Sequence, residues 1–107
     1  DNTCNDGAGT GCFRACNLSV TNQSLNVSLN NNYVNFQGLA YRQITGVVYL
    51  PMGSYLVQVF NNPSFTGNSL VSSTLYVRPG TSYTLYIFNW NSSRDAIRTL
   101  VVEDRQG

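Results

Sequence analysis

Short runs of alternating apolar and polar residues constrain the fold of this chain more than any other feature. Leu25, Val27 and Leu29 alternate with Asn26 and Ser28, which is the period of a strand with one buried face. No segment keeps an apolar period of roughly 3.6 residues, so no helix is predicted. The other predicted strands cover residues 12–20, 33–36, 44–50, 55–60, 70–77, 82–90 and 98–103.

Turn signals separate these runs. Asn30–Asn32, Pro51–Gly53 and Pro79-Gly80 each interrupt the alternation with residues that favour turns. Strands of this length with turn signals roughly every 8–12 residues are typical of a sandwich or barrel. Residues 1–11 are rich in Gly, Asn, Asp and Thr and have no apolar period. We therefore predict a flexible, cysteine-bearing N-terminal arm over residues 1–11 and one β domain over residues 12–107.

The charge content argues against several partners. Only 10% of the 107 residues are charged, the net charge is +1, and there is no His or Lys. Because the six cations, all Arg, are spread along the chain, we expect no nucleic-acid partner. No apolar run approaches the roughly 20 residues that a membrane-spanning helix needs. A surface with so little charge also favours association of the chain with itself.

The chain offers little chemistry for catalysis. Without His, it lacks the usual general base and the usual metal ligand. Glu103 and Asp104 are sequence neighbours, and neighbours on a strand point to opposite faces. The oxygen-bearing residues of segment 1–6 match no defined calcium loop. We therefore predict no enzyme, no cofactor and no metal, and name no catalytic residue.

Three cysteines, Cys4, Cys12 and Cys16, lie close together near the N-terminus. Three ligands at these spacings do not suit a zinc site, whereas disulfides form readily outside the cell. On an extended strand, Cys12 and Cys16 would lie about 13 Å apart and could not bond each other. Cys4 could pair with either, which leaves at least one cysteine over. An odd count in a secreted chain suggests a bond between subunits, and buried free thiols are the alternative.

Aromatic residues give several strands a second apolar face. Tyr76, Tyr86 and Phe88 alternate with Leu75, Val77, Leu85 and Ile87, and Trp90 follows them. One face forms the core, so the other is covered by something else or exposed. Tyr76, Tyr86, Phe88 and Trp90 are candidates for a subunit interface, ordinary core or rim, or a platform for glycans.

Four Asn-x-Ser sequences are candidate N-glycosylation sites, at Asn17, Asn22, Asn26 and Asn91. A chain so rich in Asn and Ser also produces such triplets by chance. They acquire a role only where the host glycosylates them.

Five segments, in order, resemble one family. They are Phe13–Ser19, Leu25–Asn31, Tyr41–Thr45 with Tyr49–Tyr55, Arg78–Leu85 and Val101–Asp104. Together, residues 13–104 are similar to a family of small extracellular bacterial and archaeal domains of unknown function, often in tandem on secreted proteins. Two departures stand out: Asn26 or a neighbour replaces the usual hairpin Asp, and the three cysteines are outside the family pattern.

The resemblance implies an all-β, immunoglobulin-like or transthyretin-like antiparallel β-sandwich of seven to eight strands, located outside the cell. It implies no reaction. Together with the residues above, it leads us to expect a structural subunit of an extracellular filament, pilus-like fibre, appendage or coat. Its partners would be copies of itself, held by arm docking and intermolecular disulfides at the cell or spore surface. The alternative is a glycan- or cell-wall-binding module of a secreted adhesin.

Overall fold

A computed structural model describes residues 9–22, 24–30, 33–90 and 96–105. These residues form eight strands and no helix. The strands are β1 (Thr10–Leu18), β2 (Ser24–Leu29), β3 (Val34–Ala40), β4 (Val48–Pro51), β5 (Gly53–Phe60), β6 (Val71–Val77), β7 (Thr81–Asn89) and β8 (Ile97–Arg105).

The strands form two four-stranded sheets that pack face to face. Sheet A has the order β4-β1-β7-β8, and sheet B has the order β3-β2-β5-β6. The predicted all-β sandwich is thus confirmed. One pairing differs from the antiparallel expectation, because β1 and β7 run parallel, with Phe13 beside Tyr83 and Ala15 beside Leu85. Alternation along a strand reports which face is buried but not the direction of the neighbouring strand.

The core lies between the sheets and is built by that alternation. Phe13, Leu85 and Ile87 reach inward from sheet A, where they are fully buried. Leu25, Val27, Leu29, Val57 and Val59 do so from sheet B. The rings of Phe13 and Phe36, with centroids 6.1 Å apart, join the two layers. Each buried side chain of this size stabilises the fold by about 1.5–3 kcal/mol relative to exposure.

A buried polar cluster closes one end of the sandwich, where the chain passes from sheet A to sheet B. The Asn17 amide donates to the carbonyl oxygens of Asn22 (3.2 Å) and Leu39 (3.0 Å), and its oxygen accepts from Ser19 N (2.9 Å). Ser19 Oγ in turn donates to Asn89 Oδ1 at 2.7 Å. No buried polar side-chain atom of the described residues lacks a partner, so this crossing is fully hydrogen-bonded.

β1 begins at Thr10, two residues before the predicted boundary of the arm. Met52 N donates to Gly9 O at 2.7 Å, and Gly80 N donates to Thr10 O at 2.9 Å. Two turns of the same molecule therefore hold residues 9–11 in sheet A. The predicted arm over residues 1–11 is too long, and residues 1–8 are outside the described part of the chain.

The connection from β3 to β4 also differs from the prediction. β3 extends to Ala40 through Gly38, whose φ is +66° and whose N–H donates to Asn26 Oδ1 at 2.9 Å. β4 starts at Val48 instead of residue 44. Thr45 Oγ1 accepts the hydrogen bond from Ala15 N at 3.0 Å. A side chain thus replaces the backbone acceptor and interrupts the ladder beside β1.

Candidate functional site

The outer face of sheet A carries the most conspicuous group of exposed side chains. Because Phe13, Ala15 and Asn17 point into the sandwich, the alternating residues Cys12, Arg14, Cys16 and Leu18 lie on the outer side of β1. Cys12 and Cys16 are nevertheless buried there, at 5% and 4% exposure. Strand register adds the outward residues of the neighbouring strands. We call the apolar members of this set the sheet A face: Leu18, Ile44, Tyr49, Tyr86, Phe88, Trp90, Leu100 and Val102.

Much of the sheet A face is open to solvent. Trp90 is 62% exposed, Leu100 56% and Tyr49 52%. Ile44, Val102 and Leu18 are exposed as well, whereas Tyr86 and Phe88 are partly buried. A contiguous apolar surface on a folded domain is typical of an interaction site, since water contact with it is unfavourable.

Charged residues on this side of sheet A include two arginines, and the register of β8 opposite Ser82 places Asp104 on the same side of its strand. Arg14 lies on β1, where its Nε donates to Thr84 Oγ1 at 3.0 Å. The guanidinium carbon of Arg98 lies 4.1 Å from the centroid of the Trp90 ring. This is a cation–π contact, which holds the indole ring against the end of β8.

The outer face of sheet B has a different chemistry. None of its four strands contains a charged residue. The loop between β5 and β6 folds over one end of it, where Phe65 meets Phe60 with centroids 5.6 Å apart and Gln37 Nε2 donates to Pro63 O at 2.6 Å. At the other end, Tyr76 is 70% exposed.

The four aromatic candidates therefore do not form one cluster. Tyr86, Phe88 and Trp90 come together on the sheet A face, whereas Tyr76 lies on the outer face of sheet B, paired in register with Ser54. Leu100 and Val102, which β8 places beside Tyr86 and Thr84, were not among the residues predicted from the sequence. Their alternation with Thr99 and Val101 was a signal for a second apolar face that could have identified them.

The cysteines occupy different environments. Cys12 is disulfide-bonded, whereas Cys16 is a free, buried thiol. The prediction that they do not bond each other is thus confirmed. Burial raises the pKa of the Cys16 thiol, and the positive charge of Arg14 offsets part of this shift. Such a thiol is mostly protonated at neutral pH and reacts slowly. Cys4 falls outside the described residues, so the connectivity stays a prediction.

Three of the four candidate glycosylation sites have structural roles. Asn17, Asn22 and Asn26 are between 0% and 6% exposed. Asn22 Nδ2 donates to Ser19 Oγ, and Asn26 Nδ2 donates to Phe60 O. These three amides are buried and hydrogen-bonded within the fold, which favours the interpretation that their triplets occur by chance. Asn91 lies outside the described residues.

Few groups capable of acid–base chemistry or metal binding meet in the described part of the chain. Glu103 is exposed and forms an ion pair with Arg78. The described residues contain no group of three or more His, Cys, Asp or Glu side chains placed to hold a metal ion. An open depression of about 330 Å³ beside β3 is lined by amides, hydroxyl and apolar groups: Asn35, Phe36, Gln37, Gly38, Leu39, Gln43 and Thr45. It offers hydrogen bonds but no carboxylate, imidazole or thiol.

None of the described residues belongs to a helix with the length and apolarity that a membrane crossing requires. No curated protein matches the chain. A family model does match it, over residues 1–107, and so includes the N-terminal cysteine segment that the sequence resemblance left out. The protein therefore belongs to the family described as domain of unknown function DUF4397.

Proposed function

We propose that the protein is a structural subunit of an extracellular or cell-surface assembly, such as a filament, pilus-like fibre, appendage or coat. The observation that carries this proposal is the sheet A face. Six of its side chains, those of Leu18, Ile44, Tyr49, Trp90, Leu100 and Val102, are each more than two-fifths exposed. Covering such a face with a second copy removes apolar surface from water.

The low charge of the chain favours self-association over the binding of a charged partner. The net charge is +1 and 10% of residues are charged, so repulsion between copies is weak. Complete burial of one Leu or Val contributes about 1.5–3 kcal/mol. The loss of translational and rotational freedom on association costs about 4–15 kcal/mol. Several of these side chains must therefore be covered together for a stable contact.

The positions of the cysteines limit which of them could form a disulfide between two subunits. Cys16 is buried and its pKa is raised, and Cys12 already forms a disulfide. A covalent bond between subunits would therefore require exchange of the Cys12 disulfide with a cysteine of a neighbouring copy. Because Gly9 and Thr10 are hydrogen-bonded to turns of their own molecule, an arm that docks on a neighbour would have to consist of residues 1–8. Extracellular location remains part of the proposal and fits the use of a disulfide at Cys12.

The test is the size of the particles formed by the purified chain, measured by light scattering and electron microscopy over a range of concentrations. We expect assembly that Leu100→Glu abolishes, because it places a carboxylate on the sheet A face. Met52→Glu is the matched control, since Met52 is similarly exposed (63%) but lies in the turn between β4 and β5. A monomer of 11.8 kDa at all concentrations, with and without reductant, would contradict the proposal.

A glycan- or cell-wall-binding role is the second candidate, and Trp90 is the observation that favours it. Its indole is exposed and lies beside a guanidinium, and an aromatic ring next to hydrogen-bond donors suits a sugar ring. Trp90 is the single tryptophan of the chain, so its fluorescence reports binding directly. Saturable fluorescence changes with cell-wall polysaccharides would support this role, and unchanged fluorescence would exclude binding at Trp90.

A further inference from the structure

The cysteine count leaves one partner for the disulfide at Cys12. Cys12 is disulfide-bonded, whereas Cys16 is a free thiol. The chain contains one further cysteine, Cys4. Within a single molecule, elimination therefore leaves Cys4 as the residue that bonds to Cys12.

Strand pairing decides from which side another segment can reach Cys12. β1 is a central strand of sheet A, and at Cys12 it is paired with Tyr49 of β4 on one edge and with Ser82 of β7 on the other. Phe13, the next residue, is fully buried in the core, so the Cys12 side chain lies on the outer side of the sheet. Because both edges and the inner side are occupied, a segment that bonds to Cys12 must cross the outer side of sheet A.

The chain enters β1 from a point that allows this return. Gly9 has a φ of +87°, a left-handed conformation that glycine adopts without strain, and it directly precedes the first residue of β1, Thr10. At roughly 3.3 Å per residue, Cys12 lies about 10 Å from Gly9 along β1, and the chain from Cys4 to Gly9 spans up to about 17 Å. A disulfide requires Cα atoms within about 7 Å of each other, so Cys4 is within reach of Cys12.

The burial pattern on the outer side of sheet A indicates a cover over its centre. Three small side chains on the two central strands, those of Cys12, Cys16 and Thr84, are 5%, 4% and 7% exposed. On the flanking strands, Tyr49 is 52% exposed and Val102 is 44% exposed. Small side chains between taller, open neighbours are shielded from solvent when another segment lies above them.

The charges of residues 1–8 suit this position. Arg14 lies between the two cysteines on the outer side of β1, whereas residues 1–8 contain Asp1 and Asp6 and no Arg. The register of β8 places Asp104 on the same side of the sheet, two strands away from β1. The N-terminal segment therefore brings carboxylates to the strand that carries a guanidinium, which favours their contact.

We propose that Cys12 is bonded to Cys4 of the same chain, so that residues 1–8 cover the outer side of β1 around Cys12 and Cys16. Forming the bond joins the two sulfur atoms, and two electrons and two protons pass to a disulfide oxidant. A second copy would then meet the exposed side chains of the flanking strands and the cover itself. This inference goes beyond the proposed function, because it concerns the single chain whether or not copies assemble.

Peptide mapping tests the bond in protein that has been exposed to a disulfide oxidant and then unfolded in iodoacetamide without reductant. Trypsin cleaves after Arg14 and Arg42, so Cys4 and Cys12 fall in peptide 1–14 and Cys16 falls in peptide 15–42. We expect peptide 1–14 alone, lighter than its reduced form by the two hydrogen atoms lost in the bond, and peptide 15–42 alkylated. An alkylated peptide 1–14, a link between the two peptides, or a link between two copies of peptide 1–14 would overturn the assignment.

The reactivity of Cys16 under native conditions tests the cover. The double variant Cys4→Ser/Cys12→Ser lacks the bond and retains this one thiol. We expect iodoacetamide to modify Cys16 several-fold faster in the variant than in the wild type, because accessibility limits the reaction of a buried thiol. Equal rates would show that residues 1–8 do not shield β1.

Two controls keep these results separate from folding and assembly. Urea unfolding followed by Trp90 fluorescence verifies that the double variant is folded under the conditions of the reaction. Both measurements use dilute protein whose size is verified by light scattering. A chain that never assembles would overturn the proposed function and leave the Cys4–Cys12 assignment intact, whereas a wrong peptide map would do the reverse.

Discussion

At the scale of single residues, the polar side chains of this protein are used mainly inside the fold. Asn17 is fully buried, and its side chain makes three hydrogen bonds, with Asn22 O, Leu39 O and Ser19 N. An unpaired buried donor or acceptor costs about 1–3 kcal/mol, so such an amide is difficult to replace. The abundance of Asn therefore does not mark a glycosylated surface at Asn17, Asn22 and Asn26.

Cys16 leads to a prediction about stability in alkaline solution. Burial raises the pKa of the folded Cys16 thiol above its ordinary value of about 9.0. The unfolded chain therefore loses the thiol proton at lower pH than the folded chain does. Between these two pKa values the folded state binds more protons, so the free energy of unfolding decreases as pH rises. Below the unfolded pKa, this group has no effect on the pH dependence.

The measurement is the urea midpoint of the wild type and of Cys16→Ala at several pH values from ~7 to ~10.5. We expect the wild type to lose more stability than the variant above pH ~9. Tyr55, whose pKa is also raised by burial from 10.0, should give both proteins a further loss at higher pH. Equal losses in both proteins between pH ~8.5 and ~9.5 would show that Cys16 does not contribute.

At the scale of strands, the start of β1 depends on a close approach to the turn between β6 and β7. A Cβ on Gly11 would lie 2.6 Å from Val77 Cγ1 and 2.9 Å from the carbonyl oxygen of Arg78. The adjoining turn is itself fixed, because Tyr83 Oη accepts a hydrogen bond from Arg78 N at 2.8 Å. Neither neighbour can move far without disturbing the end of the sandwich.

We therefore expect Gly11→Ala to destabilise the fold by about 1–3 kcal/mol through overpacking. Gly46→Ala is the control, because a Cβ there meets no atom within 4 Å. Urea unfolding followed by circular dichroism measures both effects. If the two variants had equal midpoints, the close approach at Gly11 would not be a determinant of stability.

At the scale of the whole molecule, the sandwich has two unlike outer surfaces. One is apolar with two arginines, and the other is free of charge along its four strands. Association through these surfaces would depend on buried apolar area and only weakly on Coulomb attraction. The proposed assembly should therefore respond little to ionic strength.

Raising NaCl from ~50 mM to ~500 mM should leave the association constant within about threefold or strengthen it, because salt screens charges but does not weaken apolar burial. Sedimentation velocity at several protein concentrations provides the constants. A decrease of tenfold or more would show that ion pairs hold the copies together, and that apolar burial does not.

The sequence by itself determined the strand pattern and the buried face of most strands. Alternation at Leu25, Val27 and Leu29 was sufficient, because a side-chain period of two follows directly from strand geometry. The low charge and the lack of His are properties of the composition, so they needed no structure to establish. The same local signal separated Tyr76, Tyr86 and Phe88 from Leu75, Val77, Leu85 and Ile87 as opposite faces of their strands, without deciding which face is the core.

Only the tertiary structure decided which of these residues lie together. The pairing of β7 with β1 and β8 joins Tyr86 to Leu100 on one surface, and the position of β6 in the other sheet places Tyr76 on the opposite side. The tertiary structure also buries Asn17 and Cys16 and holds residues 9–11 within sheet A. These features depend on contacts between residues distant in sequence, which local alternation does not encode.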